Sequence, residues 1–199
     1  MENIQNVPTL SKYVLEYVMV DLNLSEQTDN SLWLEFGVYE GNTINFISKY
    51  TDKIIFGFDC FDGLPEDWRT GFSKGAFNMD GRLPSVSNNV ELIKGLFQDT
   101  LEPFLLSKNE MISFIHLDAD LYSSTIYVLE KCVKKIKEGC IIVFDEIFNF
   151  PEYDGLNSEL RALNEWVAKY DVDFDWVGIC PSFRERAAIR INKIGKYDI

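Results

Sequence analysis

Carboxylate side chains follow four short apolar runs in this sequence, and they are the residues best suited to chemistry. Runs of this kind, rich in Ile, Val, Leu and Phe without alternation, indicate strands that are buried on both faces. Because helical patterns separate the runs, we expect parallel strands whose carboxyl ends meet at one edge of the sheet, where ligands bind. The acids therefore predict a ligand with hydroxyl groups, a positive charge or a metal, and they are Glu35, Asp59, Asp118 and the pair Asp145 and Glu146.

The periodicity of apolar residues predicts the elements that must position these acids. Parallel strands are predicted at about 32–36, 54–58, 90–94, 112–117 and 140–144, and strands near 173–178 and 185–191 form a hairpin around Pro181. Helices are predicted at about 9–22, from 42, after 99, at 122–137 and at 156–169. We therefore predict an α/β fold over residues 1–199: one domain with a mostly parallel central sheet of about seven strands, a C-terminal antiparallel hairpin and helices on both faces. Residues 1–28 form a helical cover, and the long Gly- and Pro-containing segment 60–88 is a functional loop or lid.

The composition and the net charge disfavour some classes of binding partner. The chain has 199 residues and a net charge of −13, which repels phosphate backbones and makes nucleic acid an unfavourable partner. No apolar run approaches the length that spans a bilayer, and no signal peptide is found, so we expect no membrane partner and a cytoplasmic protein. The cysteines form no Cys-x-x-Cys pair and are expected to be reduced and structural; they are Cys60, Cys132, Cys140 and Cys180.

A glycine turn follows the first predicted strand and opens a helix. Gly37 allows close approach of a ligand to the backbone, and Gly41 allows the helix to lie near the strand. Asp59, at the end of the second strand, can accept hydrogen bonds from the hydroxyls of a ribose. The spacing E-x-G-x-x-x-G differs from the G-x-G-x-x-G of dinucleotide binders, with Tyr39 in place of a glycine. A sulfonium cofactor, which has no phosphate, suits this acidic turn.

A second group of acids follows the fourth and fifth strands. Asp118 and Asp120 should lie near Asp145 and Glu146 if these strands are neighbours, and such like charges are costly unless a cation lies between them. Hard oxygen ligands select Mg²⁺, Mn²⁺ or Ca²⁺. A helix-capping role for Asp120 or Asp145 is the alternative. His116, the single histidine, lies within the fourth predicted strand and is expected to point into the core or sideways.

Three stretches resemble the macrocin and mycinamicin sugar O-methyltransferases, a family that includes the noviose methyltransferase. The stretches are residues 34–41, 57–65 and 116–125, with the sequences LEFGVYEG, GFDCFDGLP and HLDADLYSST. The resemblance extends from about residue 30 to 180. It implies a Rossmann-like class I methyltransferase fold, S-adenosylmethionine as methyl donor, Mg²⁺ or Mn²⁺, and a sugar or glycan hydroxyl as acceptor.

The resemblance also implies roles for individual residues. Asp118, Asp145 and Glu146 would bind the metal, and Asp120 or Asp118 would be the catalytic base. The segment from Asp62 to Asn88 would cover the acceptor. The cofactor would be bound by Glu35, Gly37, Tyr39, Gly41, Asn42, Thr43, Asp59, Phe61 and Asp118, of which Glu35 and the two glycines line its methionine part and Asp59 its ribose.

Two features depart from the family. Glu146 stands where a second aspartate is usual, and the N-terminal arm, which family members use for subunit contacts, is short. A homo-oligomer is therefore an open expectation.

Other functions remain as alternatives. A catechol-type aromatic O-methyltransferase uses the same metal chemistry. A nicotinamide-dependent oxidoreductase would need the third glycine and a Tyr-x-x-x-Lys pair, which are absent. A binding module without catalysis is disfavoured by the complete set of acids, and methylation of base amino groups by the absence of an Asn/Asp-Pro-Pro-aromatic motif. Polar residues of the lid favour a sugar, and they are Asp62, Glu66, Asp67, Arg69, Asn78, Asp80 and Arg82, beside the flat faces of Trp68, Phe72 and Phe77.

Overall fold

A seven-stranded sheet forms the centre of the protein in the computed structural model, which describes residues 7–24, 29–148, 158–180 and 185–195. The strand order is β3-β2-β1-β4-β5-β7-β6, and β7 runs antiparallel to both of its neighbours. The other pairs are parallel, which confirms the predicted sheet and its terminal pair of antiparallel strands. The strands are β1 Leu32–Phe36, β2 Ile55–Asp59, β3 Val90–Lys94, β4 Ile112–Leu117, β5 Ile136–Phe144, β6 Val172–Ile179 and β7 Ala187–Ile194.

Helices cover both faces of the sheet, as the sequence predicts. The helices are α1 Val14–Glu16, α2 Asn42–Ile47, α3 Phe97–Ser107, α4 Tyr122–Cys132 and α5 Glu159–Tyr170. A π-helical turn, Tyr17–Asp21, follows α1, and a 3₁₀ turn, Ser48–Tyr50, follows α2. Residues of α3, α4 and α5 share one apolar core, and those of the N-terminal segment and α2 share the other. Among the described residues, no helix combines the length and the apolar character that a membrane crossing requires.

The central strands have buried residues on both faces, which explains their unbroken apolar sequences. In β1, Leu34 and Phe36 belong to one core and Trp33 to the other. The register of the parallel pairs places Phe36 beside Leu117, and Leu117 beside Phe144. The residues that follow these strands are therefore neighbours at the carboxyl edge of the sheet.

Two predicted boundaries differ from the structure. Helix α4 ends at Cys132 rather than near 137, and β5 begins at Ile136 rather than 140. The polar residues at the start of β5 lie at a register irregularity, where pairing with β4 moves from Ile112–Ile136 to Phe114–Ile141. Such an insertion breaks the apolar pattern that marks a strand in sequence.

The N-terminal cover also differs from the prediction of one helix over residues 9–22. Leu10 donates its N–H to the Ile179 carbonyl at 2.9 Å, so this part of the chain lies along the edge strand β6 before α1 begins. The predicted hairpin turn around Pro181 and parts of the predicted cover, residues 1–6 and 25–28, lie outside the described residues. All four cysteines are described and are free thiols.

Candidate active site

The turn after β1 packs directly against the end of β4. Gly37 donates its N–H to the Phe58 carbonyl at 3.0 Å, and Asp118 donates its N–H to the Phe36 carbonyl at 2.9 Å. Gly37 has a φ of +88°, and a Cβ added there would lie 1.8 Å from the carbonyl oxygen of Asp118. A side chain at position 37 is therefore excluded by the backbone of the strand that carries the second acid group.

Asp59 organises the backbone around this turn. Its Oδ2 accepts the N–H groups of Val38 and Tyr39, both at 2.8 Å, and its Oδ1 accepts the N–H of Phe61 at 2.7 Å. The carboxylate thereby joins the glycine turn to the first residues of the lid. It also lines the cavity described below, so its remaining acceptor capacity faces the site.

A cavity of about 370 Å³ opens at the carboxyl edge of the sheet. Of the predicted cofactor residues, Gly37, Tyr39, Asp59 and Asp118 line it. The others do not: Glu35 and Phe61 are buried beneath it, and Gly41, Asn42 and Thr43 lie at the start of α2.

One wall of the cavity was not predicted from the sequence. Residues 95–98, between β3 and α3, line the cavity together with Asp59 and Cys60. Nothing in their residue types points to binding, because Gly95, Leu96 and Phe97 have the character of an ordinary loop and helix start. Their role follows only from the pairing of β3 with β2.

Aromatic residues of the lid form the opposite wall. The Arg69 guanidinium stacks on the rings of Trp68 and Phe72, at 4.3 and 4.4 Å from their centroids. Phe72 in turn stacks on Phe77, which touches the ring of Tyr39. Of the polar lid residues predicted to face an acceptor, only Arg69 lines the cavity. The part of the segment 60–88 that lines the cavity is thus mainly apolar and aromatic.

Three carboxylates converge on the floor of the cavity. Asp118, Asp120 and Glu146 each offer an oxygen, and these oxygens lie within 4.8 Å of one another. Burial and the nearby charge of Asp145 raise the pKa of Asp120 to about 7 and raise the pKa of Glu146 and of Asp118 well above the ordinary range. Asp120 has a left-handed backbone, with φ at +59°, and the N-cap of α4 is Leu121, so Asp120 does not cap that helix.

Asp145 lies beside this group but has other partners. Arg186, just before β7, donates to both carboxylate oxygens, with Nη2 at 2.8 Å from Oδ2 and Nε in contact with Oδ1. His116 Nε2 lies 3.8 Å from Asp145 Oδ1, while His116 Nδ1 lies 3.1 Å from Glu35 Oε2. Burial lowers the pKa of His116, but the carboxylates of Asp145 and Glu35 raise it to about 10, which favours the charged ring.

Glu159 supports the floor from below. It is fully buried at the start of α5, and its Oε2 accepts the backbone N–H of Glu146 at 3.2 Å. Its Oε1 accepts the hydroxyl of Thr125 at 3.3 Å, and burial raises the pKa of this carboxyl well above its ordinary range. The role of Glu159 in the site was not predicted from the sequence. An acid in the first turn of a helix is common there, because it interacts favourably with the helix dipole.

Comparisons of the sequence and of the structure with known proteins both find methyltransferases. The sequence profile of a family described as a methyltransferase domain matches residues 34–147, more than half of the chain. No curated protein matches the sequence at a significant level.

Solved structures with the same fold include the O-methyltransferase NovP, with a TM-score of 0.65 and 20% identity over 90% of this chain and 79% of that one. They also include CalS11, a TDP-rhamnose 3′-O-methyltransferase of calicheamicin biosynthesis, with a TM-score of 0.58 and 22% identity over 88% and 78%. An O-methyltransferase from Bacillus cereus in complex with S-adenosylhomocysteine matches at a TM-score of 0.57 and 15% identity over 95% and 86%.

Proposed function

The chain belongs to the methyltransferase domain family, and we propose that it transfers a methyl group from S-adenosylmethionine to a hydroxyl of a sugar or glycan with the help of a divalent metal. The observation that carries the proposal is one cavity that joins the glycine turn and Asp59 to the carboxylates of Asp118, Asp120 and Glu146. The solved structures that share the fold include O-methyltransferases, one of which is a TDP-rhamnose 3′-O-methyltransferase.

The cofactor end of the cavity is defined by the turn. Gly37, Tyr39 and Asp59 line it, and residues 95–98 close it on the side of β3. Acidic groups here suit the positive sulfonium, and Asp59 can accept a ribose hydroxyl beside the N–H groups that it already holds. A bound S-adenosylmethionine would supply an activated methyl group at this end, and the task left to the chain is alignment of the acceptor.

The donor set on the floor suits a divalent cation. Carboxylates are the ligands that Mg²⁺ and Mn²⁺ prefer, and Glu146 Oε2 is buried with no hydrogen-bond partner among the described residues. Burial, the charge of Asp145 and the charges of the neighbouring floor acids raise the pKa values of these carboxylates, and a bound cation would favour their charged forms. When bound, the ion would polarise an acceptor hydroxyl.

The side chains of the floor also supply the proton acceptor. Asp118 and Asp120 both line the cavity, at the end of the β4 strand that packs on the glycine turn. We assign removal of the acceptor's hydroxyl proton to one of these two carboxylates, since both are within the site that the cofactor and the acceptor share. Trp68 and Phe72 of the lid line the cavity, and their apolar rings would limit the access of water to the acceptor.

The proposal is tested with a panel of acceptors and labelled S-adenosylmethionine in the presence of Mg²⁺. A sugar with two adjacent hydroxyls, the matching deoxysugar and a catechol are compared at equal concentration. We expect label in the diol sugar and much less in the deoxysugar, because loss of one hydroxyl removes a contact that the site requires. Equal transfer to the sugar and its deoxy form would refute a role for adjacent hydroxyls.

A catechol-type aromatic acceptor is the second candidate, and the lid favours it. Trp68, Phe72, Phe77 and Tyr39 give the cavity an aromatic wall, which is typical of sites that hold flat rings. The same panel separates the two candidates, since transfer to the catechol alone would select the aromatic acceptor.

A further inference from the structure

A row of alternating charges crosses four neighbouring strands beside the cavity. Glu35 lies in β1, His116 in β4, Asp145 follows β5 and Arg186 precedes β7. Register pairs Glu35 with His116, and the residues preceding Asp145 and following Arg186, Phe144 and Ala187, are also paired. Each acid in the row therefore has a basic neighbour.

Both carboxylate oxygens of Asp145 face basic residues of this row. Arg186 contacts both of them through Nε and Nη2, the two-pronged geometry in which a guanidinium matches a carboxylate. His116 Nε2 faces Oδ1 from the other side. The side chain of Asp145 is only 7% exposed, and a turn towards the cavity would leave the partly buried Arg186 without its acidic partner and His116 with Glu35 alone.

The carboxylates of the cavity floor have a different environment. In the described part of the chain, Asp118, Asp120 and Glu146 make no ion pair with a lysine or arginine within 4.0 Å. Glu146 Oε2 has no hydrogen-bond partner there either, while its backbone N–H is fixed by Glu159. Asp118 also lies within 4.8 Å of a ring nitrogen of His116 and an oxygen of Asp145. Asp145, however, does not line the cavity, whereas Asp118, Asp120 and Glu146 do.

We infer that Arg186 and His116 hold Asp145 outside the metal site, so that the divalent cation binds Asp118, Asp120 and Glu146. The inference rests on the proposed metal-dependent function and specifies which of the acids bind the metal. It replaces Asp145 with Asp120 in the ligand set predicted from the sequence. Arg186 is a positioning residue, because it acts on the site through Asp145.

The test is a titration of the purified full chain with Mn²⁺, followed by electron paramagnetic resonance in the presence of S-adenosylhomocysteine. The matched pair is Asp120→Asn and Asp145→Asn, two isosteric replacements of the same residue type. We expect Asp120→Asn to weaken Mn²⁺ binding at least tenfold and Asp145→Asn to change it less than threefold. Arg186→Gln should tighten Mn²⁺ binding, since it removes a nearby positive charge and releases Asp145.

Folding of each variant is checked by circular dichroism and by calorimetric binding of S-adenosylhomocysteine. If Asp145→Asn alone is unstable, the double variant Asp145→Asn with Arg186→Gln removes the ion pair together and should also bind Mn²⁺ within threefold of the unaltered chain. A loss of Mn²⁺ binding in Asp145→Asn as large as that in Asp120→Asn overturns the inference. Failure of the unaltered chain to bind Mn²⁺ is a separate result, which refutes the metal dependence of the proposed function.

Discussion

Replacement of Gly37 by alanine tests whether the contact between the glycine turn and β4 builds the site. The added Cβ would lie 1.8 Å from the Asp118 carbonyl oxygen and 2.7 Å from its carbonyl carbon. Both neighbours are backbone atoms, so no side-chain rotation can relieve the overlap. The turn and the end of β4 must move apart by about 1.6 Å to restore ordinary contact.

The expected cost has two parts. A left-handed φ of +88° at a residue with a side chain costs about 1–2 kcal/mol. The forced separation is an overpacking defect, which costs about 1–3 kcal/mol in a well-packed region. We therefore expect Gly37→Ala to lower the free energy of unfolding by about 2–5 kcal/mol. The displaced turn would also misplace Val38 and Tyr39, whose N–H groups are held by Asp59, and so weaken cofactor binding.

Gly139→Ala is the matched control. Gly139 has a φ of +80°, but an added Cβ would meet nothing within 4 Å, so only the conformational cost of about 1–2 kcal/mol applies. Urea unfolding measures both variants, and calorimetry measures S-adenosylhomocysteine binding. The reasoning is refuted if the two variants lose equal stability, or if Gly37→Ala binds the cofactor product as well as the unaltered chain does.

Three further predictions concern the acids and the metal. Asp59→Ala should weaken S-adenosylhomocysteine binding by about 1–3 kcal/mol, because the acceptor of the turn N–H groups is lost. Calorimetry measures the binding, with a variant of an exposed acid, Asp62→Ala, as the control. Equal binding by the two variants would contradict the prediction. A chelator should abolish turnover and Mn²⁺ should restore it, and full activity in excess chelator argues against the metal. Hydrogen bonds from Lys137, Lys53 and Ser31 hold the pKa of Asp29 below its ordinary range, so its contribution to stability is present above the unfolded pKa of about 4 and is lost as pH falls towards the folded pKa. Asp29→Asn should therefore lower the urea midpoint at pH 7, by an amount that shrinks at pH values below about 4, and a pH-independent difference would contradict the assignment.

The sequence predicted the sheet well because buried parallel strands have an unbroken apolar signature. The run from Ile112 to Leu117 is too short for a buried helix and therefore indicates a strand, and it forms β4 with the predicted bounds. The first residues of β5 were assigned to a helix, because the polar residues around Gly139 interrupt the apolar run at a register irregularity. A strand that begins with a bulge has no strand pattern at its start.

The glycine turn and the floor acids were also accessible from the sequence, because they depend on local order along the chain. Gly37 follows β1 and Asp118 follows β4, and parallel pairing then brings them together at one edge. The residues that sequence reasoning missed depend on distant pairing instead. Arg186 reaches Asp145 only because β7 inserts beside β5, and Glu159 reaches Glu146 only because α5 packs below the floor.

The structure separates three roles among acids that look alike in sequence. Asp59 holds backbone N–H groups, Glu35 and Asp145 belong to the row of alternating acids and bases, and the floor carboxylates make no ion pair with a lysine or arginine among the described residues. Position at a strand end determines where a carboxylate lies, but its chemistry is set by the donors that surround it. A carboxylate that is paired with a guanidinium gains less stabilisation from a metal ion than a group of close carboxylates without such a partner. The inferred cation site therefore depends on a single arginine, Arg186, which precedes β7 and pairs with both oxygens of Asp145.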